Sequence, residues 1–270
     1  MNGPELLAAH IGVLRTRVGA CWPGTRAVFR GLDLHQGLHD ADWLELYLFG
    51  ITGRRYTPEQ VKLLHGIWVI TSYPDARIWN NRVAALAGSS RSTPALGLAA
   101  AMAVSEARIY GGGPGLRAID FFLRAGKAVA FGQTLRDFMD EELKSKYIYG
   151  YGRPIDSCDE RLPWLASLAR EQGLDQGQHF KMAFEVEIIL LEMGKPNLRM
   201  NYAGMIASLA ADLGLTPREF HIFLVPMFLA GMPPCWLEAA EKPEGTLFPT
   251  PCGEIAYEGI GQRTWRNIIP

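Results

Sequence analysis

Helix punctuation and apolar residues at helical spacing dominate this chain. Val61 to Ile70 is one apolar-periodic run, and Thr57-Pro58-Glu59-Gln60 before it reads as a capping box. In such a box the Thr and Gln side chains satisfy backbone N–H groups reciprocally, and Pro at the first helical position lacks an N–H that would go unbonded anyway. Thr216-Pro217-Arg218-Glu219 repeats the device ahead of a helix through Phe223 and Met227. Ala, Leu and Phe at helical spacing mark Leu96 to Arg108 and Leu116 to Val129. Phe180 to Met193 stops at Gly194 with Pro196 beyond, and Met205 to Leu213 stops at Gly214, both C-terminal signals. Alternating runs bounded by Asn-Gly or Asp-Gly are absent, so hairpins have little support. The expectation is a nearly all-α protein.

Two glycine-rich joints interrupt this pattern, Gly111-Gly112-Gly113-Pro114-Gly115 and Gly150-Tyr151-Gly152. The segment from Lys242 to Pro270 is rich in Pro and Gly and lacks periodicity, so it is expected to run along a surface or reach a partner subunit. Composition narrows the class: 270 residues, 48% hydrophobic and 20% charged, are those of a globular protein with room for one large core or two modest ones. Apolar stretches such as Leu96 to Val104 fall far short of the ~20 residues of a membrane span, and no basic-then-apolar leader opens the chain. A cytoplasmic protein with no membrane partner is the expectation. A net charge of −1 and the lack of a basic run with interleaved aromatics argue against nucleic acid. Cys21, Cys158, Cys235 and Cys252 are widely spaced, suggesting neither a zinc site nor a disulfide framework. His35 and His39, four apart, have the spacing of metal ligands on a helix, but Gly37 between them favours a solvated turn.

The sharpest motif is Lys146-Tyr147-Ile148-Tyr149-Gly150-Tyr151-Gly152-Arg153-Pro154-Ile155, followed by Asp159-Glu160-Arg161. It resembles a citrate synthase active-site segment reading roughly G-x-G-H-R-V…D-P-R, with Arg153 at the histidine. Further matches follow in the same order. Phe29 to Leu34, Leu46 to Gly50 and Gly53 to Thr57 look like the early Y-R-G-x-D-I and x-L-L-x-G-x-x-P-T patterns, and Arg82 to Gly88 like A-R-V-x-A-S-T-G. Ile109 to Gly112 sits where synthases have L-H-G-G. Lys195 to Leu198 and Asn201 to Gly204 match K-P-N-L…N-V-D-G. Ala230-Gly231, Trp236 to Glu238 and Tyr257 to Gly259 with Arg263 fall at A-G-x-x-x-H-W-x-E and Y-x-G-P. The shared order resembles the citrate synthase superfamily, which includes citryl-CoA lyases and the citryl-cleaving module of ATP-citrate lyase.

The resemblance implies an all-α, citrate synthase-like fold, with a large domain of residues 1–112 and 214–270 and a small domain of 113–213. It also implies a homodimer with a cleft between domains, a tail that completes the neighbour's site, a coenzyme A thioester as substrate and no metal. Coenzyme A would lie against Gly150, Tyr151 and Gly152, with Gly111 and Gly112 near its arm; read without the resemblance, Gly111 to Gly115 is a tight bend between helices. The departures bear on the chemistry. The family's base, an Asp, aligns with Ala203; the L-H-G-G His is Tyr110; an earlier His falls at Ser72 or Tyr73. Arg161 matches an Arg that clamps a keto-acid carboxylate, Asn201 belongs to the matched substrate segment, and a second carboxylate-binding Arg is replaced by Phe228, which argues against a tricarboxylate.

Arg153 reads equally as an electrophile replacing His or as a pairing residue for Asp156 or Asp159; it cannot shuttle protons. Tyr110, Tyr202, Asp75 and Asp156 are the candidate proton carriers. Three functions stay open: a divergent enzyme that makes or breaks a C–C bond beside a thioester carbonyl, an inactive dimeric binding or regulatory module, and a pocket reused for a biosynthetic intermediate that is not a coenzyme A ester.

Overall fold

A computed structural model describes residues 2–12, 14–144, 147–153, 158–246 and 251–265. The short helix α1 (Gly3–Ala8) precedes strands β1 (Gly19–Trp22), β2 (Arg26–Phe29) and β3 (Leu32–Asp33). These pair antiparallel in sequence order, with Ala20 opposite Val28 and Phe29 opposite Leu32. This small sheet corrects the expectation that hairpins lack support. The β2–β3 turn is Arg30-Gly31, with φ of 51° and 86°, so both central residues are left-handed, as a two-residue hairpin of type I′ requires. Arg takes the place of the usual Asn or Asp, and its guanidinium is tied down by Nε and Nη2 donating to Gly50 O at 3.0 and 2.8 Å.

The elements that follow are helices: α2 (Trp43–Thr52), α3 (Pro58–Thr71), α4 (Trp79–Ser89), α5 (Pro94–Val104), α6 (Gly112–Ala130), α7 (Leu135–Leu143), α8 (Leu162–Glu171), α9 (Gln178–Glu192), α10 (Tyr202–Asp212), α11 (Pro217–Leu224) and α12 (Met232–Glu241). Both capping boxes form, Thr57 with Gln60 and Thr216 with Glu219. Gly194 and Gly214 adopt the left-handed conformation just beyond α9 and α10. The expected joint at Gly111 to Gly115 is only partly a joint, because α6 starts at Gly112 and Gly112 to Gly115 form its first turn. These glycines permit close approach: a Cβ on Gly113 would lie 2.5 Å from Ala107 O, and one on Gly115 2.6 Å from Leu224 Cδ1.

The largest core gathers Leu63, Leu64 and Ile67 of α3, Phe121 and Phe122 of α6, Met205 of α10 and Phe220 and Phe223 of α11. It thus draws on α3 and α11 as well as on α6 and α10. What stands apart is α4, α5 and α12, held by small contacts among Ala84, Ala101 and Met232 and among Ala85, Cys235 and Ala239. Residues 217–241 are long and apolar enough for a membrane span by composition alone, a stretch the sequence reading did not single out. They fold as α11, a 3-10 turn (Pro226–Phe228) and α12, with Phe220, Phe223, Met227 and Met232 buried. Beyond α12 the described residues 251 and 253–265 are exposed, and the segment carries one further 3-10 turn (Cys252–Glu254).

Candidate active site

Three chain segments meet at the N-terminus of α10. Gly150 and Gly152 have φ of 97° and 85°, and a Cβ on Gly150 would come within 2.7 Å of Gly204 Cα. Without side chains there, the 150–152 strip lies flat against the start of the helix. Tyr151 bridges to Met200, Gly152 N–H donates to Arg199 O at 2.7 Å, and Asn201 donates from its backbone to Gly150 O (2.9 Å) and from Nδ2 to Gly152 O (2.7 Å). Tyr151 points inward, its hydroxyl donating to Ala183 O at 2.7 Å, and burial pushes its pKa well up.

Asp159 supplies the third segment. Its side chain is fully buried, and it accepts Arg161 Nε at 2.7 Å and Nη2 at 2.8 Å as a bidentate pair. The Tyr202 backbone N–H at 2.9 Å and the Arg161 N–H at 3.3 Å also donate to it. Burial works to raise the carboxyl's pKa, but the guanidinium and the two N–H groups outweigh it and hold it below the usual value. Arg161 stacks over the Tyr202 ring at 4.3 Å and lies 5.6 Å from the Tyr73 ring. Tyr202 is committed in turn, donating to Ile67 O and bonding Thr71 at the C-terminus of α3, and burial drives its pKa up.

Tyr73, just past α3, donates its hydroxyl to Glu160 Oε1 at 2.9 Å. Burial, then the bond to Glu160, raises the phenol's pKa, while Glu160, bonded by its own N–H and by Tyr73, sits below the ordinary glutamate range. Arg153 Nη1 donates to Cys158 O at 2.8 Å and lies 3.4 Å from Glu160 Oε2, so Glu160 joins Tyr73 to Arg153. Asn81 fixes the Tyr73 backbone by donating from Nδ2 to Tyr73 O and to Asp75 O. Tyr110 stacks on Trp79 with ring centroids 4.9 Å apart, and Trp79 Nε1 donates to Val104 O.

These groups enclose a cavity of about 460 Å³. Its walls bring together nine of the residues singled out in the sequence, Tyr73, Tyr110, Gly111, Gly152, Arg153, Arg161, Asn201, Tyr202 and Phe228, beside Ala203. The remaining candidates do not line it. Asp75 bonds Arg77 instead, with Nη2 2.7 Å from Oδ2, and that partnership holds its pKa down to about 2. Ser72 donates back to Trp68 O at 2.8 Å, Gly112 is taken into α6, and Gly150 and Tyr151 serve the packing just described. Asp156 lies outside the described residues.

The cavity also has members the sequence reading passed over, among them Thr71, Ile78, Trp79, Asn80 and Asn81. Trp79 to Asn81 immediately precede the Arg82 motif on the same helix, so the motif's upstream turn was the available signal. Glu160 stood inside Asp159-Glu160-Arg161, where the related pattern has Pro. Among the described residues lining the cavity, Asp159 is the one carboxylate, and no histidine is present.

A family model described as citrate synthase, C-terminal domain, matches residues 18–243. The chain belongs to the citrate synthase family. Its fold is also that of solved members of the superfamily. Citryl-CoA lyase from Hydrogenobacter thermophilus superposes with a TM-score of 0.81 at 20% identity, covering 93% of this chain and 97% of the other. ATP citrate lyase from Methanosaeta concilii, solved in complex with (3S)-citryl-CoA, gives 0.73 at 19% identity over 97% of this chain and 45% of that one. Citrate synthase from Thermotoga maritima gives 0.63 at 18% identity over 84% and 59%. A search of curated proteins returned no match. Tyr110, Arg153, Ala203 and Phe228, the positions where the sequence resemblance implied departures, all lie on the cavity wall.

Proposed function

We propose that the cavity binds a carbonyl compound of the acyl-CoA class and that the protein makes or breaks a C–C bond beside that carbonyl, using a proton carrier different from an Asp at position 203. The observation that carries this reading is the convergence of Tyr73, Tyr110, Gly152, Arg153, Arg161 and Tyr202 on one 460 Å³ cavity, a volume that suits a small-molecule site. Family membership and a fold shared with proteins solved with citryl-CoA support it.

Ala203 cannot accept a proton, Asp159 has its oxygens filled, and Tyr202 donates to a backbone carbonyl. Tyr73 on the wall, with Glu160 accepting its hydroxyl from outside the lining, is a pair that can move one. A proton leaving the carbon beside the carbonyl goes to the Tyr73 oxygen as the Tyr73 proton passes to Glu160, and the reverse transfer restores both. The enolate oxygen formed meanwhile faces the side of the cavity lined by Arg153 and Arg161, whose positive groups stabilise developing negative charge in a partly dehydrated site. Tyr110 and Trp79, stacked on each other, also line the cavity.

The test is deuterium uptake at the α-carbon of propionyl-CoA in heavy water, together with thiol release when 2-oxo acids are added. Uptake by the natural chain and a loss of about 100-fold or more in Tyr73→Phe, the scale of a proton-transfer group, support the reading; no uptake and no thiol release with any acid overturn it. A second reading, an inactive binding or regulatory module, is favoured by Ala203. The Arg153→His, Ala203→Asp double variant separates them. Citryl-type activity gained from an inactive parent marks a decayed enzyme, and a native activity lost marks a repurposed one.

The reading includes a homodimer. Leu86 of α4, Leu96 of α5 and Leu237 of α12 are exposed, as are Ile255, Tyr257, Ile260 and Trp265 of the C-terminal segment, so apolar surface is available both for a partner and for a tail that reaches it.

A further inference from the structure

The charge and shape of the cavity restrict what it can hold. Among the described residues, three charged side chains line it, Arg153, Arg161 and Asp159. Arg161 is neutralised by the fully buried Asp159 through two short hydrogen bonds, and Arg153 lies 3.4 Å from Glu160. The net positive charge left to a ligand is therefore at most about that of one partly screened guanidinium. A second or third carboxylate of the acid entering the site would lose its hydration without gaining a matching cation, and an unpaired buried charge is strongly disfavoured.

Beside the polar Thr71, Asn80, Asn81 and Asn201, much of the remaining wall is apolar. Phe228, Met227 and Leu224 come from the end of α11 and the 3-10 turn after it, Ile206 comes from α10, and Trp79 and Tyr110 form a stacked aromatic panel with centroids 4.9 Å apart. Flat aromatic surface favours a ring or a branched chain, which gains by stacking as well as by leaving water.

Resting on the function proposed above, we infer that this site selects a ligand with an aromatic or branched apolar body and no more than one carboxylate, not a di- or tricarboxylate. The carboxylate or carbonyl end sits toward Arg153 and Arg161, and the apolar body lies along Trp79, Tyr110 and Phe228.

Calorimetric titration of the full chain with phenylpyruvate, 4-methyl-2-oxopentanoate, oxaloacetate and citrate, each with and without coenzyme A, tests this directly. The expected result is that phenylpyruvate or 4-methyl-2-oxopentanoate binds at least about tenfold more tightly than oxaloacetate and citrate. Phe228→Arg should narrow or invert that ratio. Because a buried Arg can impair folding, Phe228→Leu is measured beside it, with thermal melting as a check on both; Phe228→Leu should weaken phenylpyruvate and leave oxaloacetate unchanged. Oxaloacetate or citrate binding as tightly as the apolar acids, or coenzyme A binding with no acid preference, overturns this inference and leaves the acyl-CoA reading in place. Binding of neither coenzyme A nor any acid overturns both.

Discussion

Asp159 illustrates how a single residue organises this site without serving as its base. It ties Arg161, the backbone of Tyr202 and the 159–161 turn into one unit. Asp159→Ala should therefore destabilise the fold by about 3 kcal/mol, because it strands a mostly buried guanidinium as well as a backbone N–H; urea unfolding at pH 7 measures this. The folded-state pKa is lowered, so the stabilisation is fully present above the unfolded carboxylate value and fades as pH falls through the lower folded one. The gap between parent and variant should accordingly hold at pH 6 and shrink below about pH 4. Glu160 is shifted down as well. Proton exchange that depends on its ionised form should persist as the solution is acidified from neutrality and drop only below the ordinary glutamate range, which a pH–rate profile reads. Gly150→Ala is expected to cost about 2 kcal/mol, since φ is left-handed and the added methyl meets the Gly204 backbone.

Among the elements, α3 and α10 determine where the chemistry-bearing groups stand. The Thr57–Gln60 box starts α3, and fourteen residues later its C-terminal end presents Thr71, with Tyr73 just beyond. Thr57→Ala should lower stability by about 1 kcal/mol, seen as a lower thermal midpoint, and leave ligand affinity nearly unchanged because the cap lies at the far end of the helix from the cavity. At α10, Asn201 both accepts from Gly204 N–H and holds Gly152 O. The cap and the glycine strip are thus one structure. Local signals of this kind are strong in sequence, which is why both capping boxes and the glycine stops after α9 and α10 were legible in advance. The small sheet was not, because its left-handed turn residue is Arg30, whose conformation depends on a carbonyl twenty residues away at Gly50.

At the scale of the whole molecule, α4, α5 and α12 form a layer apart from the main core, joined by Ala and Gly contacts. If that layer is the dimer face, light scattering should give a mass of about twice the 29.9 kDa of one chain, and an exposed-face change such as Leu96→Glu should shift it toward one chain. The helices marked by caps, glycine stops or apolar periodicity, and membership of the family, followed from the sequence alone, because such signals act over a few neighbouring residues. So did the choice of 110, 153, 203 and 228 as candidate positions. Which of these groups is chemically available followed only from the tertiary structure. Asp75 turns to Arg77, Arg161 is matched by Asp159, and Glu160 reaches Tyr73 across 87 positions of chain. Hydrogen-bond partners so far apart in sequence are selected by packing in space, and no local pattern encodes them.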